Sequence, residues 1–179
     1  MKHLAIAAAF FAFAALTAAE VAVNGNFTIR PKAKYPTGWR ADGWIGHQPE
    51  PKFEILQENG RNAVHFTEIS CKNGFVWISS ARPAAKAGDI IRITARIKGS
   101  GTARFGLETF TDKKQWIMVL PKTVFTLTPE WKEIKADLVV KDKDEKLKAA
   151  TAVLTFGATA NSDFYISNLK AELIPAEKK

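Results

Sequence analysis

The sequence of 179 residues has one cysteine, almost no helical periodicity and no long apolar segment after its first residues. A single Cys71 excludes an internal disulfide, a cysteine-based zinc cluster and a Cys-x-x-Cys redox pair, so packing must stabilise the fold. No later apolar run approaches the length of a membrane span, and we expect no membrane insertion. The net charge of +8 is dispersed, and the densest charged stretch, residues 141–148, mixes both signs. That pattern is typical of a solvated loop, so we expect no nucleic-acid partner.

The first residues have the layout of a secretory signal peptide. Residues 1–3 are a short basic start, residues 4–16 are an unbroken apolar run too short to span a bilayer, and small residues follow. We therefore predict a signal peptide over residues 1–19, cleaved before Glu20, and a secreted or periplasmic protein. Residues 20–174 have the length of one domain, and we expect residues 175–179 to be a frayed tail.

Alternation of apolar and polar residues dominates the rest of the chain and predicts β-strands. Residues 89–98 and 103–108 alternate around Gly99-Ser100-Gly101, which predicts a hairpin. A second hairpin is predicted at Asn59-Gly60, between residues 53–58 and 62–68, because Asn-Gly supplies the positive φ angles of a tight turn. The remaining predicted strands cover residues 21–23, 27–29, 75–80, 115–120, 124–127, 131–140, 151–156 and 164–174.

Many short strands with turn signals between them indicate an all-β sandwich of two antiparallel sheets. The one helical turn that we expect lies within residues 143–150. Residues 30–51 break the pattern with four prolines and three glycines, which predicts a long irregular loop. The loop contains Tyr35, Trp39, Trp44 and His47, whose rings argue against disorder, and long ordered loops are often functional.

Several motifs occur in an order that resembles a known family. They are Asn24-Gly25-Asn26-Phe27, Pro36-Thr37-Gly38-Trp39, the stretch at residues 87–99, Thr128-Pro129-Glu130-Trp131-Lys132 and the closing stretch at residues 163–169. Together they resemble the galactose-binding-like jelly rolls, in particular carbohydrate-binding modules of the families four and nine type. The resemblance implies a jelly-roll β-sandwich with carbohydrate as its partner.

Members of this family often hold a structural calcium ion on acidic groups of the opening and closing strands. In this sequence Thr28, Ser167 and Asn168 stand at those positions, so the carboxylates that calcium favours are missing. We therefore expect no cofactor and no tight calcium site. The oxygen ligands left for a weak calcium site are those of Asn24, Asn26, Asp163 and backbone carbonyls.

Sugar recognition requires aromatic rings that stack on the C–H faces of pyranoses, and the sequence has five tryptophans. We expect Trp131, which opens a strand, and Trp39 to be buried. Trp116 starts a strand near a rim, which favours ligand contact. Trp44 is equally compatible with core packing and with ligand contact.

The orientation of Trp77 depends on its neighbours in the strand at residues 75–80. Trp77 shares a face with Phe75 and Ser79, opposite Val76 and Ile78, and one of these two faces must be the core. The aliphatic pair suits the core better, which would turn Trp77 towards the outer face of its sheet and towards a ligand. As with Trp44, core packing and ligand contact are equally compatible with its position.

Polar partners for a sugar are predicted on the strand that carries Arg104 and Glu108, opposite its apolar face. Gln115, Arg82 and His47 are weaker candidates. The alternative for each is a solvated side chain, because an exposed sheet face carries alternating charges.

Catalytic signatures are missing from the sequence. There is no Gly-x-Ser-x-Gly elbow, no His-Glu-x-x-His and no phosphate-binding glycine loop. Glycoside hydrolysis needs two carboxylates about 5–10 Å apart, and no spacing singles out Glu68 and Glu108 as that pair. We therefore predict a secreted, non-catalytic carbohydrate-binding protein. Its predicted ligand contacts are Trp44, Trp77, Arg104, Glu108 and Trp116.

The alternative function is a secreted or cell-surface interaction module, or a structural one, on the same fold. The identity of the glycan and the oligomeric state stay open at this point.

Overall fold

The computed structural model describes residues 17–41, 51–69, 75–119 and 123–177. These ranges contain strands and no helix. The strands are β1 (Ala19–Glu20), β2 (Trp39–Ala41), β3 (Lys52–Glu58), β4 (Arg61–Glu68), β5 (Phe75–Ser79), β6 (Ile90–Ser100), β7 (Thr102–Phe110), β8 (Trp116–Val119), β9 (Thr123–Thr126), β10 (Lys132–Val139), β11 (Thr151–Ala158) and β12 (Asp163–Ile174).

The strands form two antiparallel sheets that pack face to face as a jelly-roll β-sandwich. The first sheet has the order β10-β6-β12-β4-β3, and β1 pairs with β12. The second sheet has the order β2-β5-β11-β7-β8, and β9 pairs with β7 beyond the end of β8. The predicted all-β fold of two antiparallel sheets is confirmed.

The core lies between the sheets and is rich in aromatic side chains. On β6, Ile91, Ile93, Ala95 and Ile97 are buried, and the alternate residues face outwards. Phenylalanines from both sheets fill the centre, and the rings of Phe66 and Phe164 stack with centroids 5.7 Å apart. Aromatic packing of this extent stabilises a sandwich that has no disulfide.

The Asn59-Gly60 turn forms as predicted, but the turn predicted at Gly99-Ser100-Gly101 is not a hairpin. Asn59 and Gly60 have φ angles of 52° and 74° between the paired strands β3 and β4. In contrast, β6 belongs to the first sheet and β7 to the second. Residues 99–101 therefore form a corner where the chain crosses between sheets.

The corner depends on Gly99. Its φ is 134°, and a Cβ atom there would lie 1.7 Å from the carbonyl oxygen of Asp163. Only glycine adopts this backbone without strain and leaves room for the neighbouring strand.

The chain before β3 differs from the predicted strands. Residues 21–23 and 27–29 are irregular, and Phe27 has a positive φ of 48° while its ring is fully buried. The edge strand of the second sheet is β2, which lies inside the segment predicted to be a loop. The strands predicted at residues 21–23 and 27–29 were therefore wrong. The apolar residues there anchor a loop to the core and do not belong to a paired strand.

Residues 143–150 form a turn-rich loop, so the predicted helical turn was wrong. The Asp144 carboxylate accepts hydrogen bonds from the backbone N–H groups of Lys146 and Leu147. Asp142 accepts one from Ala149. These side chains replace the bonds that a helix would have made.

The first residues after β12 are bonded to the sandwich. The backbone N–H of Ala176 donates to Asp89 Oδ1 at 2.9 Å. The described part of the predicted tail therefore packs against the loop before β6.

Candidate functional site

The candidate site is the outer face of the second sheet, which is the face turned away from the core. On β7, the residues that point there are Arg104, Gly106, Glu108 and Phe110, because their neighbours Ala103, Phe105 and Leu107 are buried in the core. The pairing register carries this face onto the neighbouring strands. We call it the outer face below.

The centre of the outer face is an apolar patch that is buried from solvent. Val76, Ile78 and Val153 are buried and form a cluster against which Phe110 packs. Thr155, opposite Gly106 and Ile78, is also buried. A ligand would therefore meet the residues around this patch.

Of the described aromatic side chains near the patch, Trp116 is the most exposed, with 46% of its surface accessible. It pairs with Phe110 across β7 and β8. The hairpin before it is held by Thr111, whose N–H donates to the Gln115 carbonyl at 2.8 Å and whose Oγ1 accepts from the Gln115 N–H at 3.2 Å. Trp116 begins β8, as predicted, and its contact with a ligand stays a prediction.

Arg82 joins this aromatic pair. Its guanidinium carbon lies 4.7 Å from the centroid of the Phe110 ring, a cation–π arrangement. Arg82, Phe110 and Trp116 thus form one end of the outer face, which we call the Trp116 end. Phe110 was not among the predicted contacts, although it continues the alternation of Arg104 and Glu108 on the same strand.

Arg104 and Glu108 lie on the same face as Trp116, as predicted. They are four positions apart on β7, which is about 13 Å along a strand. Glu108 is 8% exposed and lies opposite Val153. Arg104 is half-buried and lies opposite Val124, which is 60% exposed.

Trp77 faces the main core, so its prediction as an outward ligand contact was wrong. Its side chain is 1% exposed and meets the rings of Phe53 and Phe66 with centroids 4.8 and 5.0 Å away. Val76 and Ile78 face outwards and are buried in the patch instead. Both faces of β5 are buried, so the larger ring takes the larger core, where it buries more apolar area.

Trp39 is buried as predicted, with its ring centroid 4.8 Å from that of Phe156.

Trp131 is only half-buried, so its assignment to the core was wrong. It lies on the outer side of the first sheet, where its indole N–H donates to Glu58 Oε2 at 2.7 Å. The Lys98 ammonium lies 4.9 Å from the ring centroid. This charged environment holds the indole at the surface.

Trp44 and His47 lie outside the described residues. Gln115 is exposed in the hairpin before Trp116.

Of the residues left for a weak calcium site, Asn24 is engaged in its own loop and Asp163 lies far from it. Asn24 Oδ1 accepts from the N–H and hydroxyl of Thr28, and its amide nitrogen donates to the carbonyl oxygens of Thr28 and Thr37. Gly25 lies against Leu169, six residues along β12 from Asp163, which is about 20 Å. Asp163 instead contacts His65 Nε2 at 2.7 Å. Within the described ranges, no three His, Cys, Asp or Glu side chains group as metal ligands do.

The two carboxylates considered for hydrolysis do not face one another. Glu68 ends a strand of the first sheet and pairs with Lys52 at 2.7 Å. Glu108 lies on the outer face of the second sheet. The two carboxylates thus belong to different sheets, and their positions do not mark them as the pair that glycoside hydrolysis requires.

In the part of the chain that the structure describes, no helix has the length and apolar character of a membrane span.

Solved structures share this fold, whereas no family model and no curated protein matches the chain. The xylan-binding domain CBM22-1 of Paenibacillus barcinonensis Xyn10C aligns with a TM-score of 0.54 and 13% identity, over 92% of this chain and 100% of that one. The Stig cyclase Fisc from Fischerella sp. TAU aligns with a TM-score of 0.59 and 15% identity, over 90% and 100%. An arabinose-bound α-L-arabinofuranosidase aligns with a TM-score of 0.56 and 12% identity over 87% of this chain.

This chain spans only 26% of the arabinofuranosidase chain. At these identities the similarity shows the fold alone, and it confirms the expected galactose-binding-like jelly roll. The same fold carries a xylan-binding domain and a cyclase, so function must be argued from the site.

Proposed function

We propose that this protein is an exported, non-catalytic carbohydrate-binding protein whose ligand lies on the outer face of the second sheet. The observation that carries the proposal is the exposed Trp116 ring on the same face as Arg104 and Glu108. An exposed ring offers a stacking surface for the C–H face of a sugar. The neighbouring guanidinium and carboxylate groups supply donors and acceptors for hydroxyls.

The order of the residues along β7 supports a ligand that lies parallel to this strand. The buried apolar patch occupies the middle of the face, and Trp116, Phe110 and Arg82 lie at its end. Glu108 and Arg104 continue along β7 from that end. A chain of sugars lying along β7 would contact the Trp116 end first, and then Glu108 and Arg104.

Likeness in fold to a xylan-binding domain supports the proposal, and the likeness to a cyclase is the reason for testing it directly. The separation of Glu68 from Glu108 supports the non-catalytic part. Export rests on the signal-peptide pattern of residues 1–19, of which residues 1–16 lie outside the described ranges.

The test is affinity electrophoresis of the folded protein against a panel of neutral and acidic polysaccharides. We expect retardation by at least one of them, with no release of reducing sugar over the same time. Retardation by none, from protein with a cooperative melting transition, would overturn the proposal and favour the interaction-module alternative.

A further inference from the structure

Arginine dominates the charged side chains of the outer face. Arg104 lies on β7, Arg40 lies opposite Ile78 on β2, and Arg82 lies against Phe110. Glu108 is the one carboxylate that the described strands of this sheet direct to the face. The hairpin before Trp116 adds three exposed charges, Asp112, Lys113 and Lys114.

The outer side of the first sheet shows that this excess is specific to one face. There, cations and carboxylates alternate and pair with one another. Arg92 binds Asp137 through two hydrogen bonds of 2.8 Å, and the Lys98 ammonium lies 3.0 Å from Glu58. On that face carboxylates accompany the cations across the paired strands, so it has no comparable excess of arginine over carboxylate.

From this asymmetry we infer that the ligand is an anionic glycan, bearing carboxylate or sulfate groups. The inference rests on the proposed function and names the class of its ligand. A guanidinium donates two parallel hydrogen bonds to a carboxylate or sulfate, a geometry that neutral hydroxyls do not match. Trp116 supplies the stacking surface, while Arg82 and Arg104 hold anionic groups at the two ends of β7.

The test compares ligands that differ only in charge. Polygalacturonate is compared with its fully methyl-esterified form, and dextran sulfate with dextran, by binding isotherms at low and moderate salt. We expect at least one charged member to bind about tenfold or more tighter than its neutral partner, with affinity falling as salt rises. The pair that shows the difference tells carboxylate from sulfate recognition.

Variants then separate the site from general attraction. Arg82→Gln and Arg104→Gln should each weaken binding of the charged polymer by about tenfold. Lys170→Gln, which removes one exposed charge from the outer side of the first sheet, should leave affinity within twofold. Arg82 is exposed, so its variant decides the matter if Arg104→Gln lowers stability.

The contradicting outcomes are distinct. Equal binding of charged and neutral partners would overturn the anionic ligand and leave carbohydrate binding intact. Equal weakening by Lys170→Gln and Arg82→Gln would mean attraction by net charge alone and would also overturn the inference. Binding to no polysaccharide would overturn the proposed function and the inference together.

Discussion

The tryptophans show, residue by residue, how position in a strand decides between stability and binding. Trp116 is exposed beside Phe110, Trp77 is enclosed by aromatic rings, and Trp131 lies half-buried among charges. Among the tryptophans that the structure describes, Trp116 alone combines exposure with a place on the outer face. Substitution of Trp77 should therefore change folding and leave the binding surface in place.

Trp77→Ala should lower the free energy of unfolding by about 3–5 kcal/mol, because it opens a cavity in the aromatic core. Trp77→Phe should cost much less, since it keeps a ring and removes an indole N–H that has no hydrogen-bond partner among the described residues. Urea denaturation of the two variants measures the difference. A cost below about 1 kcal/mol for Trp77→Ala would contradict the burial of this ring.

Glu58 is the second residue whose environment gives a testable consequence. Its hydrogen bond from Lys98 lowers the pKa of this carboxyl below its ordinary value of 4.5; partial burial opposes the shift, and the Trp131 hydrogen bond adds to it. A lowered folded-state pKa gives stability that is complete above the ordinary pKa and is lost as the pH falls through the folded value.

Glu58→Gln should therefore lower the melting temperature at pH 6, and the gap to the unmodified protein should close as the pH falls below about 4. Melting curves between pH 6 and pH 3 provide the measurement. A gap that stays constant across this range would mean that the charge of Glu58 does not contribute.

At the scale of elements, the connection between β6 and β7 determines which faces the strands present. The glycine corner sends β6 into the first sheet and β7 into the second, so Arg96 and Arg104 end on opposite sides of the molecule. A hairpin would have placed both strands in one sheet. The corner is thus a condition for the outer face to carry Arg104 and Glu108.

Gly99→Ala should destabilise the fold by more than about 3 kcal/mol, because its Cβ meets the Asp163 carbonyl and its φ suits glycine alone. Gly60→Ala is the matched control. Gly60 has a positive φ but no atom within 4 Å of an added Cβ, so the expected cost is about 1 kcal/mol. Equal costs in chemical denaturation would show that the corner yields easily.

The alternation of apolar and polar residues was sufficient to locate those strands that have one buried face. It located β6, β7 and β10, and Asn59-Gly60 located the turn between β3 and β4. Alternation failed on β5, because both faces of this strand are buried and both carry apolar residues, so no polar side marks the outside. It also failed at Gly99-Ser100-Gly101, since glycines permit a hairpin and a sheet-to-sheet corner alike.

At the scale of the whole molecule, the sandwich is held by packing across two sheets and by side-chain hydrogen bonds in its loops. Asn24, one of the oxygen ligands left for a weak calcium site, ties Thr28 to Thr37 through its amide. We expect these hydrogen bonds to hold the loop without an ion.

Removal of divalent cations should accordingly change the melting temperature by less than about 3 °C. The comparison is between protein treated with a chelator and the same protein with added calcium. A fall of more than about 10 °C on chelation, which corresponds to several kcal/mol for a domain of this size, would reveal a structural calcium site.

The central claim, that the outer face of the second sheet binds glycan through Trp116, is tested most directly by one pair of binding isotherms. Trp116→Ala is compared with Trp131→Phe, which alters a surface tryptophan on the opposite sheet, using a polysaccharide that the unmodified protein binds. We expect Trp116→Ala to weaken binding by at least about tenfold, as loss of a hot-spot tryptophan does, with a melting temperature within a few degrees, and Trp131→Phe to bind normally. Unchanged affinity in Trp116→Ala, or loss of binding only in Trp131→Phe, would contradict the claim and place the ligand elsewhere.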